Sequence, residues 1–367
     1  MSDIVFILGA GASRDCGGPL MSDFLEIAGD LWKSRVIEEE QSREFEKIFE
    51  VISGLQIVHS KSQLDLNNIE SIFTVLELGR VIQRVPGIQA TQISEMIAAL
   101  KKVIVTTLEH RIEYPIKNDE IHAPDLYIAF SNLLKAFKQR KRRPLSVSII
   151  TFNYDIALDM ALHKSEQEPD YMIGGETAQV NSIPLMKLHG SLNWGTEKST
   201  RKIIPLHLRD FLRLPIYEKS VLEGIGDKGS IKLEIGSRLP KYLSQLYQVD
   251  ADEEPLIVPP SWNKADYHNT LSQIWASAAD HLASAEYIVV MGYSLPETDA
   301  FFRHLYALGS VGTSLLRKFI VFNPDNSGAI RERFGRMLGP GAASRFQYIA
   351  TDFENAVGSL RGILFDS

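Results

Sequence analysis

Seven short runs of apolar residues occur along the chain, and they lack a clean alternation of apolar and polar positions. Continuous apolar character over so few residues predicts strands that are buried on both faces, as in a parallel sheet. A glycine or a polar residue follows most of the runs, which is typical of a strand that ends in a turn. The runs are IVFIL (4–8), SVSIIT (146–151), IPLMKL (183–188), PLIVP (255–259), EYIVVM (286–291), KFIVF (318–322) and the weaker FQYIAT (346–351).

Helical periodicity separates several of these runs, because apolar residues recur there at the spacing of one helix face. Strands that alternate with helices predict an α/β fold with a Rossmann-like, doubly wound and mainly parallel sheet. The predicted helices of this alternating pattern cover residues 22–40, 156–164, 271–285 and 300–309.

Two long segments interrupt the alternation. Residues 39–144 are almost entirely helical in pattern, which is too much for one crossover helix, so we predict a large helical insertion. Residues 196–254 form a second insertion of mixed character. The Rossmann-like domain is then divided among residues 1–38, 145–195 and 255–367. The helices predicted within the first insertion cover 43–55, 68–82, 93–112 and 124–137.

Composition changes this picture little. The chain has 367 residues, of which 44% are hydrophobic and 23% are charged, as in an ordinary globular protein. Its formal net charge of −7 disfavours direct binding to nucleic acid or to an anionic membrane surface. The one basic run, KQRKRRP at 138–144, is more typical of a solvated helix end than of a phosphate-binding site.

Cys16 is the single cysteine of the chain. A disulfide and a cysteine-based zinc site are therefore excluded within one chain, and we expect no bound metal. Cys16 itself is a candidate nucleophile, although an incidental loop thiol is the more common case. The first apolar run is too short for a signal peptide, and no stretch approaches a membrane span, so we expect a cytoplasmic protein without a membrane partner.

Candidate chemistry lies where the predicted strands end, because ligands of open α/β sheets bind outside the carboxyl ends of the strands. GAGAS (9–13) follows the first run. Small residues there allow a phosphate to approach the backbone, although a tight structural turn explains the same letters. A rigid turn, PPSWNK (259–264), carries Trp262 and Lys264, and GYSLPETD (292–299) follows the next run.

Three polar residues follow the second and third runs. Asn153 and Asp155 stand two residues apart where a buried strand should end, and His189 precedes Gly190 and Ser191. An amide both donates and accepts hydrogen bonds, a carboxylate caps helices, and a histidine transfers protons. Each residue also has an ordinary structural explanation, as a helix cap or as packing.

Five motifs in this order, GAGAS, TFNYD, KLHGS, GYSL and VFNPD, resemble the sirtuin family. The resemblance covers the Rossmann-like segments. It implies that the protein uses NAD, as a substrate, and that the NAD pyrophosphate is held by Gly9, Ala10, Gly11, Ala12 and Ser13. It further implies that the phosphate and the adenosine ribose are held by Gly292, Ser294 and Asn323.

The same resemblance makes Asn153 and His189 the catalytic residues. Asn153 would hold the attacking water or the ribose hydroxyls. His189 would act as a general base or would hydrogen-bond a ribose hydroxyl. For Asp155, orientation of the nicotinamide carboxamide and capping of the helix that begins near Ile156 stay equal alternatives.

The sequence departs from protein-deacylating sirtuins in two respects. With one cysteine it lacks their four-cysteine zinc ribbon, and the helical insertion is foreign to them. NNIESIFTVLELG (67–79), NYD and PPSWNK are instead similar to the sirtuin-like domains of bacterial antiphage defence. The length is most similar to that of the stand-alone subunit that assembles with a HerA-like ATPase.

The resemblance therefore implies an NAD+ hydrolase that releases nicotinamide and ADP-ribose and is gated as an antiphage effector. The alternatives are a protein deacylase or ADP-ribosyltransferase, and a module that binds NAD or ADP-ribose without turnover. A dehydrogenase is disfavoured, because the acidic residue that it needs about 20 residues after the glycines would be Asp30, inside a predicted helix. The apolar faces of the helical insertion lead us to expect a homo-oligomer.

Overall fold

A computed structural model describes residues 2–118, 120–174, 181–215, 221–222, 229–258, 265–296, 299–312 and 314–365. Its centre is a parallel sheet of seven strands, all of whose pairings are parallel. The strands are β1 (Ile4–Leu8), β4 (Val147–Thr151), β5 (Pro169–Asp170), β6 (Ile183–Lys187), β11 (Tyr287–Met291), β12 (Lys318–Phe322) and β13 (Phe346–Ile349).

The strand order β13-β12-β11-β1-β4-β6-β5 makes the sheet doubly wound. From β1 the chain moves outward to β4 and β6, and it later returns to the opposite side of β1 and moves outward again through β11, β12 and β13. The predicted Rossmann-like α/β class is thereby confirmed. Ligands of such sheets bind where the two directions diverge, which here is the carboxyl end of β1 beside β11.

The described residues form thirteen α-helices, of which α2 to α5 lie within residues 39–144, the segment of the predicted helical insertion. The helices are α1 (Phe24–Ser34), α2 (Glu39–Leu55), α3 (Ile69–Ile82), α4 (Ile93–Arg111), α5 (Asp125–Lys138), α6 (Ala157–Lys164), α7 (Leu208–Arg213), α8 (Leu239–Tyr247), α9 (Ala265–Ser284), α10 (Ala300–Gly309), α11 (Ala329–Met337), α12 (Pro340–Ala343) and α13 (Phe353–Phe365). Within the described part of the chain, no helix is both long enough and apolar enough to cross a bilayer.

Six short strands lie outside the main sheet. They form a four-stranded sheet, in the order β3-β2-β10-β9, and a separate β7-β8 pair. Since β2 lies within residues 39–144 and β10 within residues 196–254, their antiparallel pairing joins the two segments predicted as insertions. The strands are β2 (Tyr114–Lys117), β3 (Glu120–Ile121), β7 (Trp194–Thr196), β8 (Ile203–Pro205), β9 (Val221–Leu222) and β10 (Ser230–Leu233).

A buried carboxyl group reinforces the contact between these two segments. Glu109 of α4 accepts hydrogen bonds from the backbone N–H groups of Gly236 and Ser237, over 2.6 and 3.1 Å. Burial raises the pKa of Glu109 to about 8. The loop after β10 is therefore fixed to the helical insertion by the side chain of α4.

One predicted helix end and one predicted strand are wrong. The helix predicted over 22–40 ends at Ser34, because Arg35 adopts a left-handed conformation with a φ of 56°, and α2 then begins at Glu39. The run 255–259 forms no strand over its described residues, 255–258. Its backbone bonds instead to the turn after β6, where Ser191 N–H donates to the Leu256 carbonyl and Val258 N–H donates to the His189 carbonyl.

Candidate functional site

Three glycines bring the loops after β1 and β11 into backbone contact. A Cβ atom at Gly9 would lie 2.7 Å from the Gly292 carbonyl oxygen, and one at Gly292, whose φ is +66°, would lie 2.3 Å from the Ala12 nitrogen. The Gly11 N–H donates to the Gly292 carbonyl over 2.9 Å. Glycine is thus required here by the close approach of two strand ends at the point where the strand order reverses.

The backbone N–H groups of this loop are mostly engaged within the protein. Gly9 donates to the Met291 carbonyl, Gly11 to that of Gly292, Ala12 to that of Gly9 and Ser13 to that of Ala10, over 2.9 to 3.2 Å. The N–H of Ala10 donates to no residue in the described ranges. It is therefore the amide of residues 9–13 that an anionic group can reach without breaking a hydrogen bond.

The hydroxyl of Ser13 gathers three side chains from different parts of the chain. It donates to Asp155 Oδ2 over 2.7 Å and lies 3.0 Å from Asn153 Nδ2 and 2.8 Å from the Tyr127 hydroxyl. Asn153 and Asp155 follow β4, whereas Ser13 follows the neighbouring strand β1. The structure therefore brings together three predicted site residues, and it adds Tyr127, which the sequence pattern did not indicate.

The hydrogen-bond directions in this cluster follow from the bond between Ser13 and Asp155. The single hydrogen of the Ser13 hydroxyl is donated to Asp155 Oδ2, so the Asn153 atom beside Ser13 must be the donating amide nitrogen. The Asn153 Oδ1 receives no hydrogen bond from the described residues. Asn153 is half-buried, so this acceptor is the polar atom that the cluster leaves available at the strand end.

Asp155 also bonds to the next helix, since its Oδ1 accepts from the N–H of Ala157, the first residue of α6, over 3.0 Å. Burial raises the pKa of Asp155, while the positive charge of Lys187 and the Ser13 hydrogen bond act in the opposite direction. Asp155 thus contacts the start of α6 from the position before the N-cap residue Ile156, and the same carboxylate bonds to Ser13 through its second oxygen.

A buried polar network extends beneath the cluster. Lys187, at the end of β6, lies 3.0 Å from Asp159 Oδ2, and both side chains are 1% exposed. The Lys187 ammonium also donates to the Asp155 carbonyl over 2.6 Å, and Tyr171 donates to Asp159 over 2.6 Å. Asn193 then donates to the Tyr171 hydroxyl. A lysine inside the apolar run IPLMKL was the sequence signal for this network.

The ring of His189 is buried beside aromatic side chains. Its centroid lies 5.2 Å from that of Phe152, at 65°, and 6.3 Å from that of Tyr154. Phe152 in turn stacks on Tyr293 at 4.2 Å and 12°. Since Tyr293 follows β11, the aromatic stack joins the ends of β4, β6 and β11 beside the Ser13 cluster.

Of the predicted residues that follow β11 and β12, Ser294 contacts α11 and Asn323 contacts its own turn. The Ser294 carbonyl accepts from Arg333, over 3.2 Å, and Asn323 Oδ1 accepts from the Asp325 N–H, over 3.0 Å. Asp299 caps α10 at the Phe302 N–H and accepts from the Tyr293 hydroxyl. Trp262 and Lys264 of the predicted rigid turn lie outside the described residues.

Two further sequence hypotheses concern reactive groups. Burial and the nearby Asp155 carboxylate raise the pKa of the Cys16 thiol, which donates to the Ser13 carbonyl over 3.0 Å. A neutral thiol is a weak nucleophile, so the packed-thiol interpretation is the one that the environment of Cys16 favours. In the described ranges, no group of three histidine, cysteine, aspartate or glutamate side chains is arranged to hold a metal ion.

Comparisons with known proteins add a distant likeness. No protein-family model matches the sequence, and no curated protein matches it. Among solved structures, a mutant Sir2 homologue with ADP-ribose has a TM-score of 0.38 and 13% identity, covering 99% of this chain and 94% of that one. A Sir2 mutant with a p53 peptide and NAD has a TM-score of 0.36 and 12% identity, with the same coverage. At this level the likeness defines neither family nor function, and the fold assignment rests on the strand order.

Proposed function

We propose that this protein hydrolyses the bond between nicotinamide and ribose in NAD+. The observation that carries the proposal is the Ser13 cluster, which fixes the Asn153 amide and leaves its Oδ1 as an acceptor at the carboxyl end of β4. The site lies where ligands of doubly wound sheets bind, and its residues occupy the motif positions of the sirtuin resemblance. That resemblance supplies NAD as the substrate.

The expected transition state resembles an oxocarbenium ion, as in glycoside cleavage generally. Nicotinamide leaves with the electron pair of the broken bond and becomes neutral. In this proposal the Asn153 Oδ1 accepts a hydrogen bond from the attacking water or a ribose hydroxyl. His189 takes the proton that water releases, or holds a ribose hydroxyl. The products are nicotinamide, ADP-ribose and one proton.

Binding of the remainder of NAD is assigned to the loops after β1, β11 and β12. Among residues 9–13, the Ala10 N–H is the donor that bonds to no described residue, and we assign it to the pyrophosphate. Ser294 and the amide nitrogen of Asn323 would contact the phosphate and the adenosine ribose. Asp155 orients Ser13 and would reach the nicotinamide carboxamide only if the Ser13 bond were exchanged, so we assign it the orienting role.

The test is release of nicotinamide from NAD+, followed by chromatography. Wild-type protein, alone or co-expressed with the products of neighbouring genes, should release nicotinamide and ADP-ribose in equal amounts. Asn153→Ala should lower the rate about 100-fold or more, and His189→Ala should do likewise, while both variants stay folded. Asn132→Ala, which alters an exposed amide on α5, is the matched control.

Each outcome selects among the candidate functions. Full activity in both Asn153→Ala and His189→Ala would reject the assignment of the site. Nicotinamide release that depends on an acylated peptide or an acceptor protein would support a deacylase or ADP-ribosyltransferase. Saturable binding of NAD without turnover under every condition would support an assembly module.

Because unrestrained NAD hydrolysis would harm its own cell, we also propose that the activity is gated, as in antiphage effectors that deplete NAD, with a HerA-like ATPase as the partner. A homo-oligomer belongs to the same proposal. Leu308, Val311 and Leu315 support it, because these apolar side chains are 68 to 82% exposed. Light scattering that returned a monomer at all concentrations would reject the oligomer.

A further inference from the structure

Tyr127 belongs to the helical insertion but contacts the candidate site. It lies in the first turn of α5, and its side chain is 1% exposed. Its hydroxyl lies 2.8 Å from the Ser13 hydroxyl. We propose that Tyr127 is a positioning residue that fixes the Asn153 amide through Ser13, an inference that rests on the proposed hydrolysis of NAD.

The Ser13 oxygen can take part in only a few hydrogen bonds. A hydroxyl has one hydrogen to donate and two lone pairs. The hydrogen goes to Asp155, and the two remaining neighbours are Asn153 Nδ2 and the Tyr127 hydroxyl. Tyr127 must therefore donate, and the Ser13 oxygen then has no further capacity. Saturation of Ser13 leaves one orientation for the Asn153 amide, in which Oδ1 points away from Ser13.

The environment of Tyr127 keeps it a donor and holds its ring in place. Burial and the Asp155 carboxylate raise the pKa of Tyr127 well above its ordinary value, so the phenol stays protonated. Its ring packs against Phe353 of α13, with centroids 5.5 Å apart at 53°. Phe130, one turn along α5, also packs against Phe353, at 5.5 Å. The position of the hydroxyl is thus set by the packing of α5 on α13.

It follows that a residue of the helical insertion holds the proposed catalytic amide in its orientation. Without the Tyr127 hydroxyl, the second lone pair of Ser13 is open, and Ser13 can turn its hydrogen away from Asp155. The Asn153 amide then loses its fixed partner and samples the flipped orientation. The effect should fall on kcat more than on KM, since Tyr127 acts on the proposed catalytic amide and not on the loops after β11 and β12.

Tyr127→Phe is the primary variant, because it removes one oxygen and keeps the ring against Phe353. We expect kcat for NAD hydrolysis to fall about tenfold, the value of one hydrogen bond, with KM changed less than about twofold. Tyr114→Phe is the matched control: Tyr114 is a buried tyrosine of the same insertion, and no hydrogen bond of its hydroxyl occurs within the described residues. It should leave both constants unchanged.

The decisive readout is non-additivity. If Tyr127 acts through Ser13, then Tyr127→Phe should cause no further fall in kcat when it is introduced into Ser13→Ala. A merely structural role of Tyr127 would predict that the two losses multiply. Full kcat in Tyr127→Phe, or multiplied losses in the double variant, would overturn the proposal while leaving NAD hydrolysis intact.

A second readout does not depend on turnover. Cys16 is the single thiol and bonds to the Ser13 carbonyl, so its rate of alkylation by N-ethylmaleimide reports the order of this loop. Tyr127→Phe should accelerate labelling severalfold, with no further acceleration in the Ser13→Ala background. If wild-type protein hydrolyses no NAD, the proposed function fails. The labelling cycle then still decides whether Tyr127 acts through Ser13, and additive effects would reject that.

Discussion

The strand ends on the two sides of the sheet differ in where their polar side chains find partners. After β1 and β4, Ser13 and Asn153 bond to each other across 140 positions of sequence. After β12, Asn323 bonds to the N–H of Asp325, two residues away. In the amino-acid sequence, a polar residue after a strand looks the same in both regions. Remote partners distinguish a convergent cluster from a local turn.

The two aspartates of these regions respond oppositely to their surroundings. Burial raises the pKa of Asp155. Hydrogen bonds from Ser327 and from the N–H of Ile330 lower the pKa of Asp325, which is partly exposed. The first carboxylate is held in an unfavourable environment by remote contacts, whereas the second is stabilised by the turn that it forms. A carboxylate whose charged form is disfavoured by burial is typical of a functional site. A carboxylate that is stabilised by hydrogen bonds from its own turn is typical of a cap.

The largest expected effect is on stability, and it comes from the buried ion pair of Lys187 and Asp159 beneath the Ser13 cluster. Lys187→Met leaves the Asp159 carboxylate buried without its cation, which should lower the free energy of unfolding by about 3 to 5 kcal/mol in denaturant titrations. Lys117→Met, which removes an exposed pair with Asp125, should change it by less than about 0.5 kcal/mol. Equal stability of Lys187→Met and wild type would show that the buried pair is dispensable.

Asp155→Asn tests the directions of the hydrogen bonds. Its carbonyl oxygen must still accept from the Ala157 N–H, so its NH2 group would face Ser13, whose hydrogen must turn elsewhere. The Asn153 amide would then be driven to flip, and kcat for NAD hydrolysis should fall about 10- to 100-fold. Asp325→Asn should keep the wild-type kcat. Similar kcat values for the two variants would show that Asp155 in the Ser13 cluster matters no more for catalysis than Asp325 in its local turn.

Asn323→Ala tests the local turn after β12, which we contrast with the Ser13 cluster. Loss of the turn bond should cost about 1 kcal/mol of stability, as at other capping positions. If its amide nitrogen contacts bound NAD, KM should rise about tenfold at most while kcat stays near that of wild type. Steady-state kinetics checks both constants, and a fall in kcat comparable to that of Asn153→Ala would contradict the division of roles.

The smallest expected effect is on the pH dependence of stability. A raised pKa for Asp155 means that its contribution to stability is fully present below the ordinary value near 3.8 and is lost as pH rises through the folded-state pKa. The Tm of Asp155→Asn relative to wild type should therefore increase as pH rises from about 4 to 7. For Asp325 the contribution is present above its ordinary pKa and lost as pH falls through the lowered one.

Asp325→Asn should accordingly lose Tm relative to wild type as pH rises from about 3 to 5, with little further change above that. Thermal unfolding followed by circular dichroism across this range gives both slopes. Parallel slopes for the two variants would mean that the environments of Asp155 and Asp325 do not differ as described.

Much of the fold followed from pattern because a strand that is buried on both faces needs a continuous apolar run. β1, β4, β6, β11, β12 and β13 were all predicted in this way. The run 255–259 has the same appearance, but its backbone bonds to the turn after β6. An apolar run indicates that a segment is buried, but it does not specify which backbone groups the segment bonds to. The strand predicted over 255–259 was wrong for this reason.

The candidate site was predictable only in part, for a related reason. Strand ends that neighbour each other can be expected to bring Ser13, Asn153 and Asp155 together. Tyr127 could not be found, because a buried tyrosine in an amphipathic helix is indistinguishable in sequence from core packing. Its role depends on how α5 packs against α13, which no local pattern encodes.

The central position of β1 has a consequence for synthesis of the chain. Leu8 pairs with Thr151 on one side and with Met291 on the other. At ordinary ribosome speeds, β1 waits on the order of 15 to 60 s after its own emergence before its second neighbour exists. Of the seven strands of the main sheet, β1 is synthesised first, but it gains its second neighbour only late. The candidate site therefore cannot assemble on a nascent chain that has not yet reached β11.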